Sequence, residues 1–180
     1  MPRDKSPDRE GLGRSRGGLS TKIHLVADAR CRPVATLTTP GHRHDSLALE
    51  AVLGKVCILR LGKGRPRRRP DRVLADKAYS ARRIRDHLRR RGIKATIPQP
   101  ADQIGHRAAK GARGGRPPAF DPVIYQDRNT VERCVNKLRT TRAVATRYDK
   151  REYIYQGSID VASIRIWLRD PAQADSRDTP

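Results

Sequence analysis

The strongest restriction on the fold is a strand, a helix and a second strand that follow one another between residues 72 and 97. The run Arg72-Val73-Leu74-Ala75 is short and apolar, which is typical of a central strand covered on both faces. From Ser80 to Arg91 apolar side chains recur four apart among arginines, so we expect an amphipathic helix that ends at Gly92. Residues 93–97 form the second strand. This order implies a parallel pair joined by a right-handed crossover, and the fold class is therefore α/β.

A β-hairpin is expected before this unit. Residues 21–26 and 33–38 are rich in β-branched and apolar side chains, and they flank the short polar connection Asp28-Ala29-Arg30-Cys31. A helix from about residue 45 to about residue 56 follows and should pack on the sheet. We expect the hairpin to join the parallel pair in one mixed sheet with flanking helices.

Two more helices are expected near the C-terminus. Asp121 in the capping position and Pro122 in the first turn predict a helix that runs to about Arg142. Its buried stripe is expected at Val131, Val135 and Leu138. Residues 159–168, which include the single tryptophan, predict a last helix that docks on the core.

The chain divides into one domain with flanking segments. Residues 1–18 are charged, glycine-rich and aperiodic, and they predict a flexible basic lead-in. The domain itself is expected over residues 19–169. Within it, residues 98–119 contain Gly, Ala, Arg, Pro and His without an apolar period, which predicts a mobile basic loop. Residues 170–180 are expected to be a disordered tail.

The charge of the chain indicates a nucleic-acid partner. Lys and Arg number 40 against 19 Asp and Glu, which gives a formal net charge of +21. The arginine-rich run 64–70 has no apolar face opposite its charges, and no segment is long and apolar enough to span a bilayer, so a membrane partner is not expected. Three cysteines without a paired spacing favour a reduced cytoplasm over an oxidising compartment.

Two acidic residues stand in settings that suggest metal-assisted chemistry on a polyanion. Asp76 follows the apolar strand, where α/β folds place their ligands. Glu132 shares one helical face with Tyr125, Arg128 and Arg139, because these four positions fall within about 60° at about 100° per residue. A carboxylate there can bind a hard cation while guanidinium groups hold phosphate oxygens. The ordinary alternatives are an ion pair of Glu132 with Arg128 and a turn capped by Asp76.

Several neighbouring residues remain ambiguous from the sequence. Lys77 and Tyr79 could contact phosphate or a displaced base, or could simply begin a helix. His24 lies in a strand, where packing or a cross-strand contact is expected rather than catalysis. His42 and His44 lack the further ligands of a zinc set, so we assign no zinc.

Together these motifs resemble the bacterial insertion-sequence DDE transposases, in particular the family of insertion sequences numbered five. The resemblance covers about residues 11 to 169, and it rests on the strand Val73-Leu74-Ala75-Asp76-Lys77-Ala78-Tyr79 and on Tyr125, Arg128, Glu132 and Arg139, which match a Tyr-Arg-Glu-Lys signature with Arg139 in place of Lys. Further agreement lies in Gly13-Arg14-Ser15-Arg16-Gly17-Gly18-Leu19-Ser20-Thr21-Lys22-Ile23-His24, Pro40-Gly41 with Asp45-Ser46, Gly115-Arg116-Pro117-Pro118 and Ala145-Thr146-Arg147-Tyr148-Asp149-Lys150.

The resemblance implies an RNase H-like mixed sheet in which three acids hold two divalent ions, Mg²⁺ or Mn²⁺, for phosphoryl transfer. It makes Asp76 the second acid and Glu132 the third. The residues that would contact DNA are Lys77, Tyr79, Tyr125, Arg128, Arg133 and Arg139. The implied partners are double-stranded DNA at transposon ends and targets, the product of an upstream reading frame, and further copies of the chain, acting in the bacterial cytoplasm at the nucleoid.

The chain departs from the family at the first acid, which should lie on a strand before residues 13–18. Asp28 falls in the hairpin connection, while Asp4 and Asp8 lie in the lead-in. Two carboxylates bring about −2 of charge to ions carrying about +4, so the ions should be weakly held. We therefore expect an N-terminally truncated catalytic portion, inactive alone, that is either the downstream half of a frameshifted element or a decayed remnant.

Three functions compete on this basis. The first is the catalytic portion of a transposase that cuts and joins DNA at insertion-sequence ends. The second is a non-catalytic DNA-binding regulator of transposition, and the third is a basic RNA-binding protein. All explain the arginines, whereas only the first requires the acids at Asp76 and Glu132.

Overall fold

The computed structural model describes residues 10–60 and 62–170 and has the mixed α/β composition that the sequence predicts. The strands are β1 (Gly13–Ser15), β2 (Gly18–Ala27), β3 (Pro33–Pro40), β4 (Arg72–Leu74) and β5 (Lys94–Thr96). The helices are α1 (Leu49–Gly54), α2 (Arg82–Arg90), α3 (Ala101–Ala109), α4 (Pro122–Tyr125), α5 (Asn129–Arg139), α6 (Arg142–Ala145) and α7 (Glu152–Leu168). In this part of the chain no helix is both long and apolar enough to cross a membrane.

The predicted hairpin is confirmed as β2 and β3, which pair antiparallel with a register shift at Val26/Ala27. Asp28 builds the connection, because its Oδ1 accepts hydrogen bonds from the backbone N–H groups of Arg30 at 3.0 Å and Arg32 at 2.9 Å. Cys31 completes the turn with a φ of 59°. Asp28 therefore serves the turn, as an Asp side chain in a polar connection commonly does.

The predicted parallel pair is also confirmed. β4 and β5 pair in parallel, and α2 lies between them in the chain. Ile84 and Leu88 of α2 are fully buried, which matches the apolar spacing of the sequence. Gly92 follows the helix at a φ of 64°, a left-handed conformation that glycine adopts without steric cost.

The expectation of one continuous mixed sheet is wrong for the described residues. β1, β2 and β3 form one sheet in that order, and β4 and β5 form a second. Both β2 and β4 border a common groove, and no described strand lies between them. The class remains α/β, with two small sheets.

Part of the predicted flexible lead-in is ordered. Gly13–Ser15 pairs with Gly18–Ser20 as a tight hairpin, and Gly18 has a φ of 101° that permits the close turn. This contact was hidden from the sequence because a strand of three residues has no measurable period. Residues 1–9 lie outside the described residues.

The expectation of a loop throughout residues 98–119 is wrong in its secondary structure, since α3 occupies Ala101–Ala109. None of its residues is buried, so it has no apolar stripe for a sequence pattern to reveal. The alanines favour the helix intrinsically. Gln103 ties it to the domain by accepting a hydrogen bond of 2.5 Å from the Ser80 hydroxyl.

The helices near the C-terminus begin at the predicted residue or before it, and their lengths differ from the predicted lengths. Asp121 caps α4 by accepting from the N–H groups of Val123 and Ile124 at 3.0 and 3.1 Å, as expected. The helical segment then passes through a 3₁₀ turn at Gln126–Arg128, and α5 ends at Arg139 rather than at Arg142. Leu138 is buried as predicted, while Val131 and Val135 are half-buried and Cys134 occupies the core instead. The last helix, α7, begins at Glu152 rather than at Ile159.

Two hydrophobic clusters lie on opposite faces of the β2–β3 hairpin. The first combines α1, α2 and the β4–β5 pair, with Val26 and Leu37 packed against it. The second combines α5, α6 and α7, with Ile23 and Leu25 packed against it. Along β2, Val26 faces the first cluster while Ile23 and Leu25 face the second, because successive side chains of a strand point to opposite faces of the sheet.

The predicted tail from residue 171 to 180 lies outside the described residues, whereas Asp170 pairs with Arg32 at 3.2 Å.

We predict that Ile84→Ala lowers the free energy of unfolding by about 2–5 kcal/mol, because it opens a cavity in the first cluster. Ile104→Ala in α3 is the matched control, since Ile104 is 53% exposed, and it should change stability by less than about 0.5 kcal/mol. Chemical denaturation followed by far-ultraviolet circular dichroism measures both. Equal effects of the two substitutions would contradict the position of the core.

Candidate functional site

Asp76 lies just beyond the carboxyl end of β4 and is exposed. Its Oδ1 accepts a hydrogen bond of 2.6 Å from the backbone N–H of Lys77 and so caps the 3₁₀ turn Lys77–Tyr79. In the described part of the chain no arginine or lysine side chain forms an ion pair with this carboxylate. Asp76 thus caps a turn, which the sequence analysis gave as the ordinary alternative to a functional role. This hydrogen bond leaves further lone pairs of the carboxylate oxygens available.

A groove of about 800 Å³, here called the central groove, runs between β2 and β4. Its walls are the edge of β2, the apolar face of α1, the edge of β4 and the segment from Ile124 to Arg133. Asp76 and Tyr79 lie at one end of it, and Arg128 and Arg133 border it from α5 and the turn before it. The groove therefore borders Asp76 and part of the basic helix, but Glu132 is not among the residues that line it.

Three of the four residues expected on one helical face come together. The Arg128 guanidinium forms an ion pair with the Glu132 carboxylate and lies 5.9 Å from the centre of the Tyr125 ring. The i, i+4 pair foreseen as the alternative for Glu132 is therefore formed. Arg139 lies at the end of α5, where its charge opposes the rise that burial causes in the pKa of Tyr155. The 3₁₀ turn at Gln126–Arg128 interrupts the uniform helix on which the predicted alignment depended.

Lys77, Arg133 and Tyr79, three of the predicted DNA contacts, differ in their exposure and in their relation to the groove. Lys77 and Arg133 are exposed, and only Arg133 of the two borders the groove. Tyr79 is half-buried, and burial raises its pKa to about 12, with further contributions from the negative charges of Asp45 and Asp76. Tyr79 is therefore a neutral phenol at physiological pH and can donate a hydrogen bond.

Asp45 belongs to this neighbourhood, although the sequence analysis gave it no role in the site. Its Oδ1 lies 2.8 Å from the Lys22 ammonium, and its charge acts on both Tyr79 and His24. The sequence signal that could have found it is its position after Pro40-Gly41, where a strand breaks and the chain turns back. Asp45 is thus a second carboxylate near the end of β4.

The prediction of a packing role for His24 is confirmed. His24 is 6% exposed, and its Nε2 forms a hydrogen bond of 2.7 Å with the Thr39 hydroxyl across the hairpin. Burial lowers the pKa of His24, an effect that Asp45 opposes. The neutral form of the imidazole is therefore favoured, and its hydrogen bond to Thr39 helps to fix the register of the hairpin.

The described residues do not fit the two-ion site that the resemblance implies. Over residues 10–60 and 62–170, no group of three or more His, Cys, Asp and Glu side chains is close enough to hold a metal ion. The Glu132 carboxylate is engaged by Arg128. Magnesium requires about six oxygen ligands and usually keeps several waters, so one free carboxylate holds it weakly.

A second, smaller cleft of about 550 Å³ is cationic and was missed by sequence reasoning. It lies between Arg85, Arg89 and Arg116 and is closed by Pro117 and Pro118. Arg85 is fixed by hydrogen bonds to the Ile97 carbonyl at 2.8 Å and the Ser80 carbonyl at 3.3 Å. The guanidinium groups give this cleft the chemistry to hold a phosphate group.

Comparison with known proteins supplies the family context. The model of the transposase DDE domain matches residues 3–156. A putative transposase for insertion sequence element IS6501 from Brucella ovis is 31% identical over 154 residues, which cover 84% of this chain and 100% of that protein. A putative transposase for insertion sequence element IS402 from Burkholderia cepacia is 33% identical over 90 residues, 50% of this chain and 43% of that protein. No solved structure matches the chain.

We predict that Glu132→Gln changes the free energy of unfolding by no more than about 0.5 kcal/mol, because an exposed i, i+4 ion pair contributes little. The carboxylate is 57% exposed, which supports this small value. Urea denaturation at low salt and in 1 M salt measures the difference, which should vanish at high salt. A loss of several kcal/mol would instead make Glu132 a structural residue.

We predict that Tyr79 titrates near pH 12, and that Asp45→Asn lowers this pKa because it removes a negative charge that disfavours the phenolate. The measurement is the absorbance of tyrosinate at alkaline pH, with Tyr79→Phe used to identify the transition. A Tyr79 transition near pH 10 that Asp45→Asn leaves in place would contradict the burial of the phenol.

Proposed function

Because the chain belongs to the transposase DDE domain family of bacterial insertion sequences, we propose that it is the catalytic portion of a DNA transposase that cleaves and joins strands at insertion-sequence ends. The observation that supports this most directly is the position of Asp76. Its carboxylate is exposed at the end of β4, free of arginine and lysine among the described residues, at the mouth of the central groove.

In this proposal the domain has an RNase H-like architecture, and Asp76 and Glu132 are its candidate ligands for Mg²⁺ or Mn²⁺. Bound divalent ions would activate the attacking oxygen and stabilise the leaving oxygen of the phosphodiester. Glu132 becomes available when Arg128 exchanges its carboxylate for a DNA phosphate, since a guanidinium binds either group. The chain on its own is proposed to be inactive, because the described residues lack a complete ligand set.

DNA would be held chiefly through its phosphates. The chain has a net charge of +21, and the proposed contacts are Lys77, Tyr79, Tyr125, Arg128, Arg133 and Arg139. The neutral Tyr79 phenol would donate a hydrogen bond, while the guanidinium groups would pair with phosphate oxygens. The proposed partners are double-stranded DNA, an upstream reading-frame product and further copies of the chain, in the bacterial cytoplasm at the nucleoid.

The decisive experiment measures mobilisation of the intact element, with its marker and its whole coding region, in a bacterial host. We predict that Asp76→Asn lowers the transposition frequency by more than about 100-fold, a loss typical when charge stabilisation of the transition state is removed. Asp102→Asn in the first turn of α3 is the matched control and should retain activity within about twofold.

Affinity for DNA is measured in parallel, by fluorescence anisotropy with a duplex taken from the element's ends. Asp76→Asn should bind this duplex as tightly as the unchanged chain, and binding should weaken steeply with salt, by about one log unit per log unit of salt for each phosphate contacted. Normal mobilisation by Asp76→Asn would contradict the catalytic proposal. Repression of the element by both forms would favour a DNA-binding regulator, and strong competition by RNA would favour an RNA-binding protein.

A further inference from the structure

A cationic cleft lies outside the central groove, at the surface of α2. Arg85, Arg89 and Arg116 line it, and we call it the arginine cleft. Arg85 and Arg89 are four residues apart in α2, so their side chains are neighbours on one face of this helix. Each of them follows a fully buried residue, Ile84 or Leu88, by one position. The packing of α2 on its sheet therefore fixes where two of the three arginines emerge.

Arg85 ties the cleft to one end of the β4–β5 pair. Its guanidinium donates hydrogen bonds to the Ser80 carbonyl at 3.3 Å and to the Ile97 carbonyl at 2.8 Å. Ser80 comes shortly after β4, and Ile97 comes directly after β5. Asp76 lies beyond the same end of β4, four residues before Ser80, so the Cα atoms of these two residues are at most about 14 Å apart. The arginine cleft and Asp76 therefore share one end of the parallel pair.

The positive charge around the cleft is only partly balanced by carboxylates. Arg89 pairs with Asp86 at 2.8 Å and has further N–H groups to donate. Within residues 10–60 and 62–170, neither Arg85 nor Arg116 forms an ion pair. Burial lowers the pKa of the Arg85 guanidinium, and the like charge of Arg107 lowers it further. A bound anion would offset this repulsion between arginines.

Two glycines place the third arginine beside α2. A Cβ atom on Gly114 would lie 2.3 Å from the Arg107 carbonyl oxygen, so only glycine permits this close approach. Gly115 has a φ of 69° and a ψ of 178°, a backbone conformation that is essentially restricted to glycine. Arg116 follows directly and is exposed. The run Gly114-Gly115-Arg116 therefore builds one wall of the cleft.

The lining of the cleft suits the backbone of a nucleic acid. Guanidinium groups bind phosphate oxygens, and Pro117 and Pro118 offer an apolar wall on which a sugar ring can pack. A volume of about 550 Å³ has room for a phosphate together with its flanking sugars, since one water molecule occupies only about 30 Å³. No aromatic side chain of the described residues lines the cleft, so a base has no stacking surface there.

We propose that the arginine cleft binds the phosphate–sugar backbone of duplex DNA, as a second DNA site separate from the central groove. The two cavities share no lining residue among the described residues. The choice of DNA rests on the proposed function. The contact is independent of base sequence, because phosphates carry no sequence information. A duplex held both here and beside the central groove has a fixed angle of approach to Asp76.

The cleft is tested with the full chain and a labelled duplex of about 25 base pairs of arbitrary sequence, by fluorescence anisotropy. Arg116→Ala should weaken binding at least about fivefold at about 0.1 M salt, and it should lower the slope of log Kd against log salt by about one unit, because one phosphate contact is lost. Arg113→Ala is the matched control. It removes the same charge from the preceding 3₁₀ turn, outside the cleft lining, and should change the affinity by less than about twofold. Equal losses in the two variants would overturn the site.

A second pair of variants moves Arg116 without changing the charge. Gly115→Ala strains the turn that directs Arg116, and it should also weaken binding at least about fivefold. Gly105→Ala in α3 is the matched control, since nothing lies within 4 Å of a Cβ atom there, and it should bind as the unchanged chain does. Far-ultraviolet circular dichroism confirms that both variants are folded. Unchanged affinity of Gly115→Ala would overturn the cleft as a built site.

Competition identifies the source of the phosphate group. Orthophosphate at about 10 mM should displace no more duplex DNA than potassium chloride of equal ionic strength, because the sugars contribute to binding. Stronger displacement by orthophosphate would identify a site for the free ion. Duplex RNA that binds more tightly than DNA, and that loses as much affinity in Arg116→Ala, would identify an RNA site. Either result would overturn the proposal.

Failure of the cleft and failure of the proposed function give different results. Normal DNA affinity of Arg116→Ala, while transposition still depends on Asp76, would overturn the cleft and leave the proposed function standing. Weakened affinity of Arg116→Ala, while Asp76→Asn still mobilises the element normally, would overturn the catalytic function and support the cleft as a DNA site.

Discussion

The alternation of side chains along the β2–β3 hairpin is the constraint on which the rest of the structure depends. One face of the hairpin directs Val26 and Leu37 into the cluster around α1 and α2, and the other directs Ile23 and Leu25 toward α5 and α7. A slip of one residue would exchange the two faces, so the register must be fixed. The buried hydrogen bond between His24 and Thr39 helps to fix it, and Asp28 holds the turn at the far end.

The partners of the carboxylates distinguish Asp76 from other acids on or near the groove. Asp28 and Asp71 line the groove and pair with Arg32 at 2.6 Å and with Arg67 at 2.5 Å, and Glu132, outside the lining, pairs with Arg128. Asp76 instead accepts its hydrogen bond from a backbone N–H. Its charge is therefore left to act on the groove, and it contributes to the raised pKa of Tyr79.

Sequence patterns predicted the elements whose residues alternate or recur strongly, and missed those without a period. The hairpin, α2 with Ile84 and Leu88, and the cap of α4 by Asp121 were all predicted. Helix α3 was missed because no residue in it is buried. The alignment of Arg139 with Arg128 assumed one uniform helix, which the 3₁₀ turn before α5 does not provide. The roles of Asp76 and Glu132 in catalysis stay predictions.

The sequence by itself determined the α/β class, the order of the main elements, the cationic character and the position of Asp76 at a strand end, because local periodicity, caps and composition encode all four. Only the tertiary structure decided that the sheet divides between β2 and β4, that Asp45 lies near Tyr79 and that Arg128 engages Glu132. These three features depend on contacts between segments distant in the sequence, or on which of several partners a side chain reaches in its rotamer.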